Sequence, residues 1–180
     1  MFPQHILLNN KQKLTIREAE VSDAEDMLAY LHTVFAESDF LAYGPGEFNV
    51  SLDQEQDMLK QYQASSHQIF LLAWLDGELV SIANISQGKG KRREHLGTLA
   101  ISVKKTFWGM GIGSHMMEHL LAWARHSRMI RKVELYVYTN NSKVIHLYQK
   151  YNFVIEGLHT RNVLIKWVFY DAYAMGLAID

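Results

Sequence analysis

The chain contains no cysteine and only two prolines among its 180 residues. Without cysteine it has no disulfide framework, no thiolate metal site and no cysteine nucleophile, which agrees with a reducing compartment. Long hydrophobic runs are also missing, because stretches such as Ile69–Leu75 are far shorter than the ~20 residues that a membrane-spanning helix needs. Residues 1–10 lack the charged start and apolar run of a signal peptide. We therefore expect a cytoplasmic protein without a membrane partner.

The sequence has no large excess of charge of either sign, since the formal net charge is -1. Nucleic-acid binding needs a concentrated basic surface, so we expect no nucleic-acid partner. The one short basic cluster, made of Lys89, Lys91, Arg92 and Arg93, is interpreted as a solvated loop. Hydrophobic residues make up 48% of the chain, which is typical of a globular protein, and the length fits one domain over residues 1–180.

Two kinds of hydrophobic spacing alternate along the chain and predict its secondary structure. Helical spacing follows Ser22 and Ser51, and each serine has a glutamate or glutamine three residues later, the pattern of a capping box. The pair Asp76 and Gly77 predicts a two-residue hairpin turn. The predicted helices begin near residues 22, 51, 111 and 141, and the predicted strands lie at 14–17, 69–75, 78–87, 95–103, 132–139 and twice within 153–177. This order predicts a mixed α/β fold with helices packed on one sheet.

A glycine-rich segment follows the strand that ends at Val103. Gly109, Gly111 and Gly113 open a predicted helix, and glycine lets the backbone approach a ligand closely. The first amides of a helix have no internal partner and, with the helix dipole, attract anions, so a pyrophosphate would fit here. The spacing alone is equally consistent with a simple strand-to-helix turn. Ser114 stands where the dinucleotide fingerprint needs glycine, and no Gly-Lys-Ser/Thr sequence of a P-loop is present.

Two motifs together resemble the GNAT family of N-acetyltransferases. Trp108, Gly109, Met110, Gly111, Ile112 and Gly113 are similar to its cofactor motif, Gln/Arg-x-x-Gly-x-Gly/Ala, with tryptophan in the place of the first residue. Residues 141–153 are similar to its second motif, in which an asparagine opens a helix and a Leu-Tyr pair precedes a Gly-Phe exit. Here Asn152 replaces that glycine, and asparagine tolerates the left-handed conformation of a helix exit. The closest likeness is to the branch of ribosomal-protein alanine and small-amine N-acetyltransferases.

The resemblance implies a fold, a cosubstrate and a set of binding residues. The fold is a mixed, mostly antiparallel, splayed sheet of about seven strands with four flanking helices. The cosubstrate is acetyl-coenzyme A, whose pantetheine arm would lie between the strand ending at Val103 and the strand at 132–139. The residues implied in cofactor binding are Ile101, Ser102, Val103, Trp108, Gly109, Met110, Gly111, Ile112, Gly113, Ser114, Asn141, Lys143 and Tyr148. An amine would attack the thioester directly, and self-association into a homodimer is left open.

Three residues are candidates for proton transfer. Tyr148 stands at the position of the family's general acid and could protonate the departing thiolate, although its helical spacing with Val144 and Tyr151 also fits a plain core residue. Glu94 and His95, near the start of the strand that leads to the site, are candidate bases for the acceptor amine. They could equally be solvent-exposed loop residues.

The resemblance implies that the acceptor is a primary amine, either a peptide amino terminus or a small amine of the polyamine or antibiotic type. Glu37, Asp39 and Glu47 flank a glycine-proline loop and would form an acidic rim that attracts cations. A catalytically inactive acetyl-coenzyme A sensor is the alternative to an enzyme. His115 and His119 lie four residues apart on one helix, but no third ligand is evident, so we expect no metal.

Overall fold

The structure, a computed structural model, describes residues 3–179, which form eight strands and four α-helices. The strands are β1 (Gln4–Leu7), β2 (Lys13–Glu18), β3 (Ile69–Leu75), β4 (Glu78–Gln87), β5 (Leu96–Val103), β6 (Lys132–Tyr138), β7 (Val154–Ile165) and β8 (Val168–Ala178). The helices are α1 (Ala24–Glu37), α2 (Leu52–Gln63), α3 (Ile112–Ser127) and α4 (Ser142–Lys150).

All eight strands belong to one sheet, in the order β1-β2-β3-β4-β5-β6-β8-β7. Neighbouring strands are antiparallel except for β5 and β6, which are parallel. The predicted mixed, mostly antiparallel α/β fold with four helices is confirmed. The sheet has one strand more than expected, because the short and largely exposed β1 pairs with β2. Its four residues carry too little hydrophobic pattern to predict a strand from sequence.

Two hairpin turns place non-glycine residues at positive φ. Asp76 (φ 51°) and Gly77 (φ 86°) join β3 to β4, so the predicted two-residue turn is confirmed. Lys166 (φ 48°) and Trp167 (φ 67°) join β7 to β8 in the same left-handed conformation without any glycine. No glycine marks this second turn in the sequence, although it is as short as the first turn.

The helix starts agree with one predicted cap and disagree with the other. The side chains of Ser51 and Gln54 form the expected capping box at the start of α2. Ser22 does not cap α1, because it lies inside a short 3-10 turn, Val21–Asp23, that precedes the helix. The capping box of this turn is formed instead by Glu20 and Asp23, whose carboxylate accepts a 2.7 Å hydrogen bond from the Glu20 amide.

Apolar side chains are buried on both faces of the sheet. Along β3, Ile69, Leu71 and Ala73 pack on the side of α3, whereas Leu72 packs on the side of α1 and α2, as the alternation of a strand requires. Six α3 residues on the face that packs against the sheet are at most 1% exposed: Ile112, Met116, Met117, Leu120, Leu121 and Ala124. These contacts fix the amino end of α3 beside the carboxyl end of β5.

No helix within residues 3–179 is long and apolar enough to cross a membrane.

Candidate active site

The sheet opens between β5 and β6. The two strands pair over three positions, ending at Thr98 and Glu134. β5 then continues to Val103 and β6 to Tyr138 without pairing to each other. The splay predicted between these strands is thus present, and one edge of β5 faces a gap in the sheet.

Hydrogen bonds at the two edges of β5 show which backbone groups face the gap. The carbonyl of His95 accepts from amides at the start of β6, whereas the carbonyl of Leu96 accepts from the amide that follows β4. Because backbone groups of alternate residues point to opposite edges of a strand, Leu99, Ile101 and Val103 face the gap. An extended ligand in the gap could pair with these groups as an added strand.

Of the three β5 residues predicted to bind the cofactor, Ile101 and Val103 direct their backbone groups to the gap, and Ser102 does not. Ile101 presents its amide and carbonyl to the gap. Ser102 faces β4, where its carbonyl accepts from the Ser81 hydroxyl at 2.7 Å, and its own hydroxyl lies 3.0 Å from the Tyr30 hydroxyl. Leu99 also has backbone groups that face the gap, although it was not predicted to bind the cofactor. Its orientation follows from how β5 pairs with β4 and β6, which the sequence does not reveal.

The glycine segment forms an exposed turn at the amino end of α3. Gly109 and Gly111 have φ of 81° and 83°, and Gly111 is the N-cap of the helix in the left-handed conformation. A Cβ at either position would meet no heavy atom within 4 Å, so the absence of side chains leaves open space for a ligand. Gly113 differs, because its Cβ would make an ordinary contact of 3.6 Å with Leu147 of α4.

Three amides at the start of α3 are available to an anion. The first hydrogen bond of the helix runs from the amide of His115 to the carbonyl of Gly111. The amides of Ile112, Gly113 and Ser114 therefore precede the helical hydrogen-bond ladder, at the positive end of the helix dipole. This arrangement can hold the pyrophosphate of a nucleotide cofactor, with no side chain required.

The Trp108 side chain is bound to the end of β5. Its indole N–H donates a 2.7 Å hydrogen bond to the carbonyl of Val103, and the residue is 49% exposed. The indole N–H therefore does not point toward an anion at the α3 amides. The neighbouring Met110 is half-buried against the core on the α3 side of the sheet. The side chains at these two positions thus shape the turn and close the carbonyl end of β5.

The second motif places a buried tyrosine on α4. Asn141 is the N-cap of α4, but its side chain makes no hydrogen bond to the first-turn amides. Lys143 lies exposed in the first turn of the helix. Tyr148 is only 6% exposed, and its ring packs against Phe153 at a centroid distance of 5.8 Å. The predicted left-handed helix exit at Asn152 is also present, with φ of 66°.

The environment of Tyr148 keeps its hydroxyl protonated. Burial raises the pKa of Tyr148 above that of an ordinary phenol. Two side-chain polar atoms among the described residues are fully enclosed without a partner, and the Tyr148 hydroxyl is not one of them. Since it makes no hydrogen bond to a described residue either, its oxygen retains some contact with open space. A neutral phenol in this position can donate a proton.

Glu94 and His95 lie at the other end of β5. Both are exposed and precede Leu96, the first residue of the strand. Eight residues of extended strand separate His95 from Val103, a distance of about 25 Å. The structure does not bring these two residues together with Tyr148, and their assignment as bases stays a prediction.

The acidic side chains of the predicted rim have local partners. Glu37 accepts a 2.9 Å hydrogen bond from the amide of Lys105, and Glu47 accepts one of 2.7 Å from the amide of Gly44. Asp39 lies 3.8 Å from the ammonium of Lys166. Glu37 and Asp39 line a cleft of about 260 Å³ beside Trp108 and the end of β6.

A second and larger cavity of about 780 Å³ lies between α1, α2 and the sheet. Its floor includes Ala100, Ile101 and Ser102, so it reaches the part of β5 that borders the gap. Its walls are mostly apolar and aromatic. They also include Glu55 of α2, which is 4% exposed, and we call this space the Glu55 cavity. Glu55 is not among the residues predicted from the sequence, although its signal is a glutamate on the helix face that carries Met58 and Leu59.

The rings of His115 and His119 contact protein groups within α3. The ring of His115 lies 3.3 Å from the Glu118 carboxylate, and the ring of His119 lies 2.7 Å from the carbonyl of His115. Among residues 3–179, no group of three or more histidine, aspartate and glutamate side chains is arranged to hold a metal ion.

Comparison with known proteins gives one consistent family. A model described as the acetyltransferase (GNAT) family matches residues 30–153. The L-amino acid N-acetyltransferase AaaT of Escherichia coli (strain K12) is 30% identical over 105 residues, which are 58% of this chain and 65% of that protein. The matched region thus spans slightly less than two thirds of this relative.

Solved structures agree with the family match. A GNAT acetyltransferase from Streptococcus pneumoniae is 38% identical, with a TM-score of 0.90 over 93% of this chain and 99% of that one. The phosphinothricin acetyltransferase of Sinorhizobium meliloti, solved in complex with acetyl-coenzyme A, has a TM-score of 0.80 at 14% identity, covering 92% of this chain and 88% of that one. The second likeness concerns the fold alone.

Proposed function

The chain belongs to the GNAT family of acetyltransferases, and from this premise we propose that it transfers the acetyl group of acetyl-coenzyme A to a small primary amine. One observation carries the proposal. The unpaired edge of β5 leads directly to a helix start with three free amides and an open glycine turn. An extended arm with a pyrophosphate at one end, as in coenzyme A, matches both features.

The gap-facing groups of β5 bind and orient the cosubstrate in this proposal. The amide and carbonyl of Ile101 and Leu99 pair with the pantetheine arm, and the amides of Ile112, Gly113 and Ser114 hold the pyrophosphate. A strand amide at the gap can also stabilise the thioester oxygen as negative charge develops on it. Acetyl-coenzyme A supplies the activated acetyl thioester. Asn141 and Lys143, at the start of α4, are proposed as additional contacts to the cosubstrate.

Tyr148 is proposed as the general acid. The neutral amine attacks the thioester carbonyl, a C–N bond forms and the C–S bond breaks. The amine releases a proton to solvent or a base, and the Tyr148 hydroxyl protonates the departing thiolate. A phenol with pKa about 10 or higher gives up its proton only as the thiolate, whose thiol has a pKa of about 8.5, is expelled.

The size of the Glu55 cavity favours a small acceptor. Its volume of about 780 Å³ lies within the range of small-molecule sites. We therefore propose that the protein belongs with the small-amine acetyltransferases of the family, and that a peptide amino terminus is not the main acceptor.

The proposal is tested by measuring release of free thiol from acetyl-coenzyme A. The panel contains alkylamines, diamines, L-amino acids and a peptide with amino-terminal alanine. Turnover of small amines at least tenfold faster than of the peptide is expected. Preferred turnover of the peptide would overturn the small-acceptor assignment, and cofactor binding without turnover of any amine would favour a sensor.

A further inference from the structure

Glu55 is a buried carboxylate without a partner among residues 3–179. It is 4% exposed, its Oε1 is fully enclosed, and neither of its oxygens is hydrogen-bonded to a described residue. Burial raises the pKa of Glu55, as expected of a carboxyl removed from water. An enclosed polar atom without a hydrogen bond destabilises the folded protein. Oε2 is not enclosed, so a donor on a ligand in the cavity can reach the carboxylate through this oxygen.

The side chains that line the Glu55 cavity indicate which ligand charge it favours. Among the described residues that line it there is no lysine, arginine or histidine. The polar side chains besides Glu55 include Asn84 and Ser102, and the aromatic walls include Phe35 and Phe48. A ligand carboxylate would find no cation here and would face the Glu55 carboxylate. The cavity therefore favours a cation with an apolar body.

The position of Glu55 separates it from the reacting end of the cavity. The floor follows the register of the sheet, in which Phe70 of β3 lies beside Asn84 of β4, and Asn84 beside Ala100 of β5. This row spans two strand spacings, about 10 Å in all. α2, which carries Glu55, packs over β3. Two helical turns beyond Glu55, the ring of Tyr62 lies 5.2 Å from that of Phe70. The acetyl group belongs at the other end, beside β5.

Resting on the proposed function above, we propose that the acceptor is an elongated amine with a second positively charged group, and that Glu55 binds this second group. The first amino group reaches β5 and is acetylated. The apolar body lies against the aromatic walls between the two ends. Glu55 acts as a specificity residue that selects a diamine-type acceptor over an amino acid.

Three acceptors of matched length separate this proposal from simple hydrophobic binding. Diaminohexane, hexylamine and aminohexanoate share an apolar chain and a reacting amine, and differ only in a terminal ammonium, methyl or carboxylate. In the wild type we expect kcat/KM for diaminohexane to exceed that for hexylamine about tenfold, and aminohexanoate to be the poorest. Hexylamine equal to or better than diaminohexane would overturn the proposal.

The variant Glu55→Gln keeps the shape of the side chain and removes its charge. It should abolish the preference for diaminohexane by raising its KM about tenfold, with little change for hexylamine. The matched control is Glu25→Gln, at an exposed residue of α1, and it should change the KM of neither diaminohexane nor hexylamine. Glu55→Asp, which retains the charge, should keep part of the preference for diaminohexane. An equal loss for all three acceptors in Glu55→Gln would contradict the specificity role.

A binding measurement separates this inference from the proposed function. Calorimetric titration of the wild type with diaminohexane, in the presence of coenzyme A, does not depend on turnover. Binding weakened about tenfold in Glu55→Gln supports the role of Glu55 even if no acceptor is acetylated. Equal binding by both proteins overturns the inference even if acetyl transfer is observed.

Discussion

The indole N–H of Trp108 donates a 2.7 Å hydrogen bond to the backbone carbonyl of Val103. Trp108 stands where the family motif has glutamine or arginine, and the hydrogen bond ties the glycine turn to the last residue of β5. Its one donor is thereby used within the protein. Phosphate binding falls to the backbone amides at the start of α3, which makes the conformation of the turn more important than any single side chain.

Gly111→Val should weaken acetyl-coenzyme A binding more than Trp108→Ala. Gly111 has φ of 83°, a conformation that a β-branched residue adopts only with strain, so the amides of the turn would be displaced. We expect a loss of at least about tenfold in affinity for Gly111→Val, by isothermal titration calorimetry, and less for Trp108→Ala.

Gly113→Ala is the control for this pair. Its Cβ would make an ordinary contact of 3.6 Å with Leu147, in a helical backbone that alanine favours. Its effect on affinity should be small. If Trp108→Ala were the most damaging of the three, the tryptophan and not the backbone would carry phosphate binding.

Tyr148→Phe should lower kcat by about a hundredfold at saturating acetyl-coenzyme A, because the thiolate loses its proton donor. The KM for acetyl-coenzyme A should change little, since the ring and its packing against Phe153 are kept. Tyr136→Phe, at a residue that is 53% exposed, serves as the control for loss of a phenol. Unchanged turnover in Tyr148→Phe would mean that this side chain is a core residue only.

Glu94→Gln and His95→Ala test the prediction that one of these residues is the base for the acceptor amine. Replacing the residue that takes up this proton should remove the limb of the kcat/KM profile near neutral pH. The profile should be recorded with a single acceptor under the same conditions for both variants and the wild type. Loss of the limb near neutral pH in either variant would show that the residue takes part in proton transfer.

The ion pair of Arg17 and Asp23 should make stability depend on pH. Burial would raise the pKa of Asp23, but hydrogen bonds from Arg17 and from the Glu20 amide outweigh it and lower the pKa below its usual value. A lowered folded-state pKa means that the stabilisation is present above the unfolded-state pKa of about 3.9 and is lost as pH falls through the folded-state value.

Asp23→Asn should reduce the free energy of unfolding at neutral pH by about 1 to 2 kcal/mol, measured by urea denaturation. The difference from the wild type should shrink below about pH 4. Asp57→Asn removes an exposed carboxylate that pairs with Lys60, and it should change stability by less than about 0.5 kcal/mol. A difference in Asp23→Asn that persists unchanged at acid pH would exclude the ion pair as its source.

The sequence predicts much of the fold because its local signals agree with the final structure. The hairpin turn at Asp76, the capping box at Ser51 and the left-handed exit at Asn152 are all determined within a few residues. The turn at Lys166 and Trp167 has no such signal, since its conformation is imposed by the pairing of β7 with β8.

The candidate site is less predictable, because its geometry comes from register and packing. Which residues of β5 face the gap depends on the pairing with β4 and β6. The burial of Glu55 depends on how α2 lies on the sheet, and the hydrogen bond from Trp108 to Val103 depends on the path of the glycine turn. None of these contacts has a counterpart in local spacing.

The parallel pair of β5 and β6 also determines how the sheet is assembled. These strands are linked by the crossover through α3 and joined by pairing at only three positions. The gap is therefore a seam between the strands β1–β5 and β6–β8, and a ligand that bridges it adds contacts to both. Cosubstrate binding should thus raise the midpoint of thermal unfolding of the whole chain with rising ligand concentration, in proportion to RT ln(1 + [L]/Kd).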